Sequence, residues 1–451
     1  MQIMSTYKIR IKDPESKAFS DTARLYRDAV DFYIVLINDN WDVFANQSSK
    51  SAVRIAEQLS VVTKNRPSVK HPFSDKFYKF PSYLRRAAIA EAQGKVSSYR
   101  ANLSNWESSD PKTRGSEPGF PKAGLVYPAM YKGNCFVRVD DYTAKVKVFI
   151  RNTWDWVTVH FRKSDADYII RHCPNRKECV PTLQKRHNKW YLDFAFEEQV
   201  SLNTTDIFDQ TIVAVDLGIN NACTCSVMRS DGTVLGRHFL KLPKEYDSLN
   251  RKTSHIKRAQ RHGSRCVTNL WKLADSMNHN ISVKTASFIE GVARMYDADV
   301  IVFEHLDTSG KKRGSKKQRL ALWRKVEVQH ILTGKAHRLG MRISRICAWG
   351  TSRFAYDGSG RVLRGKDSKK TGGSYSICEF QSGKVYNCDL NASYNIGARY
   401  FVREILKSLP ATDGQHIGAK VPQCAKRSTC TLATLINLNS VLYESSYNYA
   451  V

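Results

Sequence analysis

The sequence predicts an α+β protein built from more than one domain. Its 451 residues are enough for two or three domains, and a hydrophobic fraction of 42% is that of a globular protein rather than a disordered one. Two changes of pattern divide the chain. A helix-rich region gives way to short β-type runs near residue 123, and buried strands alternating with helices begin near residue 211. A β region with a helical insertion, followed by a C-terminal α/β region, favours a multidomain α+β architecture.

The first 210 residues predict a small antiparallel β-barrel or sheet that is interrupted by helices. Residues 6–12 alternate polar and apolar side chains as a strand does, and helical periodicity follows from Asp21. Helical character returns at 83–106, before a stretch at 109–122 that is rich in proline and glycine. Short β-type runs then occupy residues 135–139, 144–150, 156–161 and 190–196.

From residue 211 the pattern predicts buried strands that end in acidic residues. One apolar run ends at Asp216, a second ends at Glu304, and Asp389 opens a helical stretch. The elements expected in chain order are strands at 212–216, 222–228 and 234–240, helix at 247–296, strand at 299–303, helix at 321–339, strand at 342–346, a Gly/Ser/Lys-rich insertion at 350–383, and helix at 390–406. This order is that of an RNase H-like fold.

Charge and cysteine content restrict the partners and the compartment. Lys and Arg number 71 against 42 Asp and Glu, which gives a net charge of +29 and favours nucleic acid as the partner. No apolar run approaches the roughly 20 residues of a membrane span, and the N-terminus lacks a signal-peptide core. With 11 scattered cysteines, we expect a cytoplasmic protein with free thiols and no membrane partner.

The three acids are the expected catalytic and metal-binding residues. Phosphodiester cleavage by two divalent cations needs hard oxygen ligands from several chain segments at one edge of a sheet. Asp216 and Glu304 would lie on neighbouring strands, and Asp389 would close the site from a helix. Taken singly, each acid is equally consistent with a turn residue or a helix cap. Their order at the ends of buried strands favours a Mg²⁺ site with two ions, which Mn²⁺ could replace.

Three motifs around these acids resemble those of a known family. They are residues 215–220 (VDLGIN), 302–306 (VFEHL) and 389–396 (DLNASYNI). The sequence is similar there to the transposon-encoded TnpB nucleases and to the compact type V CRISPR effectors that descend from them. The resemblance implies a prokaryotic, RNA-guided DNA endonuclease of the cytosol or nucleoid with one RuvC-like site. It also implies two partners, a guide RNA and double-stranded target DNA that carries a short flanking motif. Monomer and homodimer both remain open.

The resemblance also implies a domain organisation. A wedge-type β domain would be interrupted by a helical recognition insertion, and the RuvC-like nuclease domain by an insertion that loads target nucleic acid. The expected bounds are 1–20 and 123–210 for the wedge, 21–122 for the recognition insertion, 211–349 and 384–410 for the nuclease domain, 350–383 for its insertion, and 411–451 for an unassigned tail.

The insertion departs from the family pattern. A four-cysteine zinc ribbon usually follows the Thr-Ser pair found here at 351–352, but Ala355 and Gly358 stand where its first two cysteines would be. Glu379 and Ser382 replace the second pair. Since a structural zinc normally has four Cys or His ligands, we predict that zinc is lost and that the insertion folds without metal or forms a flexible lid.

Basic and aromatic residues are candidates for nucleic-acid contact. On a continuous helix, spacings of seven and four would put the stripe of Arg251, Arg258, His262 and Arg265 on one face, although a solvated surface helix would look similar. The basic loop Lys311, Lys312 and Arg313 follows Glu304 and is expected to contact phosphate. Tyr78 and Arg85 could stack on DNA bases, although clustered aromatic residues are more often part of a core.

Other functions fit the sequence less well than a guided nuclease does. An RNase H-like transposase or resolvase would act without guide RNA, and the helical insertion in a β region at the N-terminus argues against it. An RNA-guided DNA-binding repressor would be expected to lack one of the acids, whereas all three are present. A ribosomal or RNA-chaperone role explains the charge but leaves the order of the acids unexplained.

Overall fold

The computed structural model describes residues 1–112, 114–218, 221–264, 266–306, 316–368, 370–410, 419–425 and 428–448. It divides into two compact units. The N-terminal unit is Gln2–Glu198, and the C-terminal unit comprises Gln199–Val451 together with Met1. Both units contain helices and strands, so the predicted mixed α+β class is confirmed.

A twisted antiparallel sheet forms the framework of the N-terminal unit. Its strands lie in the order β2-β3-β4-β1-β7-β5, and β6 pairs with the other part of the long strand β7. The strands are β1 (Gln2–Lys12), β2 (Phe136–Arg138), β3 (Thr143–Ile150), β4 (Thr153–Phe161), β5 (Lys177–Glu178), β6 (Thr182–Arg186) and β7 (Lys189–Gln199).

Helices inserted after the first strand pack against this sheet. They are α1 (Ser16–Asp39), α2 (Trp41–Phe44), α3 (Ser49–Ser60) and α4 (Ser82–Glu107), and α5 (Lys163–His172) follows β4. Helix α1 is amphipathic and buries Phe19, Tyr26 and Tyr33 at steps of seven residues, against α4 and β3. Helix α3 begins where the Ser48 hydroxyl accepts the Ser51 N–H at 3.2 Å, which satisfies one of its free backbone donors.

A five-stranded mixed sheet is the core of the C-terminal unit. Its order is β10-β9-β8-β11-β12, with antiparallel pairs among the first three strands and parallel pairs from β8 to β11 and from β11 to β12. The strands are β8 (Thr211–Asp216), β9 (Cys223–Arg229), β10 (Val234–Leu240), β11 (Val300–Glu304) and β12 (Arg342–Ile346).

Helices cover both faces of this sheet. They are α6 (Pro243–Arg261), α7 (Thr268–Met295), α8 (Lys316–Arg338), α9 (Cys388–Ser408) and α10 (Leu432–Asn448), and a two-stranded hairpin of β13 (Ile377–Glu379) and β14 (Val385–Asn387) precedes α9. On β8, Val213 and Val215 pack in one core cluster with residues of α7 and α8, while Ile212 and Ala214 pack in another with residues of α9 and α10. Because side chains alternate along a strand, position 216 falls on the α9 face.

The structure corrects the predicted helix at 247–296. Helix α6 ends at Arg261, and the chain turns through Gly263 at a φ of +80° before α7 begins at Thr268. A glycine adopts this backbone conformation without the steric cost of a Cβ atom. Helices α5 and α10 were not predicted. Across the described residues, no helix is both long and apolar enough to cross a membrane.

Helix α9 and the sheet approach closely at Gly397. A Cβ atom there would lie 2.5 Å from the Met228 sulfur and 3.2 Å from the Ala214 Cβ, and both of these residues are fully buried. We therefore expect Gly397→Ala to lower the free energy of unfolding by roughly 1–3 kcal/mol, the usual cost of overpacking. Thermal unfolding of the full chain measures the change.

Gly291 provides the matched control, because it lies on α7 and a Cβ atom added there would have no other atom within 4 Å. Gly291→Ala should raise stability by about 0.5–1 kcal/mol, as alanine does in an exposed helix. Equal melting temperatures for the two variants would contradict the close approach of α9.

Candidate active site

The three predicted acids lie on the α9 side of one end of the sheet. Strand β8 ends at Asp216 and its parallel neighbour β11 ends at Glu304, with Phe303 in register with Val215. Asp389 lies in the first turn of α9, and all three acidic residues are half-buried. Carboxylates distant in the sequence are thereby brought to one edge, because parallel strands end on the same side of a sheet.

Negative charge is crowded around Asp216. Burial, and next the charge of Glu304, raise the pKa of the Asp216 carboxyl to about 8, and Asp389 acts in the same direction while Lys325 opposes it. The described residues donate no hydrogen bond to this carboxylate. A buried carboxyl group in this position is stabilised either by a proton or by a cation.

The donor set suits a hard divalent cation. Within the described residues, no three His, Cys, Asp or Glu side chains lie close enough to hold one ion. Mg²⁺ commonly takes only one or two protein carboxylates and completes its shell with water and substrate phosphate. Binding of Mg²⁺ by Asp216, Glu304 and Asp389 stays a prediction.

Glu304 is oriented through its side chain and its backbone. The Thr351 hydroxyl donates to Oε1 of Glu304 at 2.5 Å, and Nε2 of Gln329 donates to its backbone carbonyl at 3.0 Å. Nε of Arg345 in turn donates to Oε1 of Gln329 at 3.0 Å. Residues from α8, β12 and the loop after β12 thus fix the second acid.

Two asparagines of α9, here called the asparagine clamp (Asn391 and Asn395), hold the loop that carries Thr351. Asn391 donates to the Phe354 carbonyl at 2.9 Å and accepts the Tyr356 N–H at 2.8 Å. Asn395 donates to the carbonyls of Thr351 and Phe354, both at 2.9 Å. Both asparagines belong to the third sequence motif. Their partners at 351–356 are distant in the sequence, so no local pattern could predict these hydrogen bonds.

Arg399, one turn further along α9, anchors the same loop. Its buried guanidinium donates to the carbonyls of Cys347 and Trp349, each at 2.8 Å. It also donates to the carbonyls of Ser428 at 2.6 Å and Cys430 at 3.1 Å. Since a buried charge is stable only when its donors are satisfied, Arg399 ties both segments firmly to the helix.

Asp389 is held at the N-terminus of α9. The Asn387 side-chain oxygen accepts the N–H groups of Asp389 and Leu390, each at 3.0 Å, and so caps the helix. Nδ2 of Asn221 donates to Oδ2 of Asp389 at 2.5 Å. A Cβ at Gly218 would lie 2.8 Å from the Asn221 carbonyl oxygen, so a glycine fits at this position better than a larger residue.

Thr224 is a site residue that the sequence did not reveal. It lies opposite Asp216 in the β8–β9 register, and residues directly opposite each other in antiparallel strands project to the same face. Its side chain is buried, and its hydroxyl finds no partner among the described residues. The next residue on that face, Ser226, is bonded to Ser393 of α9 at 2.5 Å.

A small core joins the insertion at 350–383 to the start of α9, and Ala355 is its one member at an expected zinc position. Ala355, Cys378, Phe380 and Cys388 form a buried cluster, and Glu379 pairs with Lys370 at 2.6 Å. Gly358 occupies a turn at a φ of +79°, and the Ser382 hydroxyl donates to Asp357 at 3.3 Å. Apolar packing and polar pairs therefore join these segments, while loss of zinc stays a prediction.

The predicted nucleic-acid contacts lie in different settings. Arg251 and Arg258 are exposed on α6, but this helix ends before His262, so the stripe is not one continuous helical face. Arg265, Lys311, Lys312 and Arg313 lie outside the described residues.

The aromatic candidates near residue 80 also differ from one another. Tyr78 is 71% exposed, with the Lys79 ammonium 5.1 Å from its ring centroid. Arg85 is half-buried and pairs with Glu57 at 3.0 Å, and the neighbouring Phe80 belongs to the core. Of the two aromatic rings, only that of Tyr78 is exposed.

Comparison with known sequences matches part of the N-terminal unit. The profile of a family described as the Aq_aa04 family matches residues 5–150, less than half of the chain. An uncharacterized protein, aq_aa04, from Aquifex aeolicus (strain VF5) is 25% identical over an alignment of 154 residues, with 31% of this chain and 86% of that protein covered.

Comparison with solved structures gives similarities at low sequence identity. A Cas12f1–sgRNA–target DNA complex is 13% identical, with 87% of this chain and 98% of that chain covered and a TM-score of 0.34. C2c1 of Alicyclobacillus acidoterrestris with single-guide RNA is 12% identical, with 85% and 69% covered and a TM-score of 0.41. A Cas12i–crRNA–dsDNA complex is 10% identical, with 92% and 66% covered and a TM-score of 0.34. Similarities at this level assign no activity to the chain.

Loss of the asparagine clamp should loosen the Glu304 site. Asn395→Ala removes donors from two carbonyls in a fully buried position, so we expect unfolding free energy to fall by about 1–3 kcal/mol. Thermal unfolding measures this, with Asn280→Ala, an exposed position on α7, as the control expected to stay within about 0.5 kcal/mol. If the two variants melt together, the clamp does not stabilise the loop.

Proposed function

We propose that this chain is an RNA-guided DNA endonuclease whose single nuclease site is formed by Asp216, Glu304 and Asp389. The observation that carries the proposal is the convergence of these acids at one end of the β8–β11 sheet, on the face covered by α9. The sequence motifs predicted a cytosolic, metal-dependent enzyme in which the same three acids bind the metal.

The topology supports an RNase H-like nuclease domain. Three antiparallel strands precede helices α6 and α7. The parallel strands β11 and β12 follow, with α8 between them in the chain, and α9, which carries the third acid, packs on the sheet. The acids occupy the ends of the first and fourth strands and the start of that helix. Each acid comes from a different segment of the chain. The site therefore depends on the whole fold rather than on one loop.

The residues around the acids have distinct roles in this proposal. Bound Mg²⁺ would favour an attacking water and stabilise the leaving oxygen of a phosphodiester. Thr351 holds the Glu304 carboxylate in place, and Asn221 holds that of Asp389. The buried hydroxyl of Thr224 lies opposite Asp216 in the β8–β9 register and has no partner among the described residues.

Guide RNA and target DNA are the proposed partners. A net charge of +29 favours polyanions, and the exposed Arg251 and Arg258 lie one above the other on α6. The three sequence motifs resemble those of guided nucleases, in which base pairing selects the target. A transposase or resolvase without guide RNA is the competing function.

Substitution of Asp216 tests the site. Asp216→Ala should reduce DNA cleavage in Mg²⁺ by more than the 10- to 100-fold typical of residues that only support a metal ligand. Binding of RNA and DNA should change little, because backbone affinity depends on Lys and Arg. Asp275→Asn, at an exposed position on α7, is the control that should cleave normally. Cleavage by Asp216→Ala at the rate of that control would refute the assignment.

RNA that copurifies with the protein tests guidance. Expression from the native locus, purification and sequencing should recover one abundant RNA with a constant scaffold and a variable end. That RNA should direct cleavage to a matching DNA. Heterogeneous RNA that can be removed without loss of cleavage would instead support the unguided transposase or resolvase.

A further inference from the structure

An exposed tryptophan lies beside the nuclease site. Strand β12 ends at Ile346, in register with Glu304, and Trp349 follows three residues later. Its side chain is 51% exposed, compared with 36% for Trp156 and 1% for Trp190. Leaving so large an aromatic surface in water has a free-energy cost that a bound partner would offset.

The backbone that carries this indole is fixed relative to Glu304. The Trp349 carbonyl accepts a hydrogen bond from buried Arg399 at 2.8 Å, and Thr351, two residues on, donates to Glu304. The Phe354 ring lies 6.1 Å from the indole, centroid to centroid, at a tilt of 49°. A side chain held in this way loses little conformational freedom when a partner binds.

Basic residues lie close to Trp349 in the fold. A cavity of about 580 Å³ reaches Ala348, next to Trp349 in the chain, and its described lining combines apolar side chains with basic ones and has no acidic residue. The basic residues include His305, Arg345, Arg403 and Lys407. Arg403 and Lys407 are paired with Glu404. Arg345 is exposed at the end of β12, and its Nε donates to Gln329. An aromatic plane next to exposed positive charge is the combination that single-stranded nucleic acids recognise.

We propose that Trp349 is a stacking platform for an unpaired nucleobase of the strand that enters the active site. The inference rests on the proposed nuclease function and adds a sequence-independent contact to it. Stacking on one base would place the neighbouring phosphodiester near Glu304.

Binding of single-stranded DNA by the full chain tests this proposal. The variants are made in the Asp216→Ala protein to prevent cleavage, and the probes are oligonucleotides with one 2-aminopurine at successive positions. Trp349→Leu should weaken binding roughly 5- to 100-fold, the range expected for one stacked base, while Trp349→Phe retains most of the affinity. Quenching of 2-aminopurine at one position should be lost in Trp349→Leu and kept in Trp349→Phe.

Controls separate stacking from other effects. Trp156→Leu, at another exposed tryptophan, should leave the quenching unchanged, and the melting temperature of Trp349→Leu should equal that of its parent because the indole is exposed. Equal affinity of the Leu and Phe variants would overturn stacking. Normal DNA binding by Trp349→Leu would refute the stacking platform. If Asp216→Ala has at the same time lost cleavage, the proposed nuclease function is still supported.

Discussion

The packing of α9 against the end of the five-stranded sheet is the constraint on which the site depends. Gly397 lets the helix approach the sheet closely, and this contact fixes where Asp389 lies. The asparagine clamp and Arg399 then bind the loop after β12 to the same helix. One helix therefore sets the position of its own acid directly and that of Glu304 through Thr351.

Crowding of carboxylates opposes folding and at the same time prepares the site for cations. Asp299, at the other end of β11, shows the contrast, since it accepts hydrogen bonds from Thr205 and the Thr211 N–H. Among the described residues, Asp216 has no such donors, and the Glu304 carboxylate depends on Thr351 alone. A carboxyl group that accepts hydrogen bonds from its neighbours stabilises the fold, whereas one without such donors is suited to binding a cation.

Local sequence predicted the strands that end in acids, because a short, continuous apolar run that stops at a carboxylate can be recognised without knowing its partners. The mixed α+β class followed from the same patterns. The break in α6–α7 was missed because one glycine in a polar helical stretch is a weak signal. The roles of Asn391, Arg399 and Thr224 depend on partners far away in the sequence, so no local pattern could predict them.

The most direct test of this account is a crystal structure of the full chain with Mn²⁺, with anomalous scattering used to locate the ions. The account predicts ions coordinated by the carboxylates of Asp216, Glu304 and Asp389 at the α9 side of the sheet end. Ions bound elsewhere at saturating Mn²⁺, with these carboxylates free of metal, would contradict it.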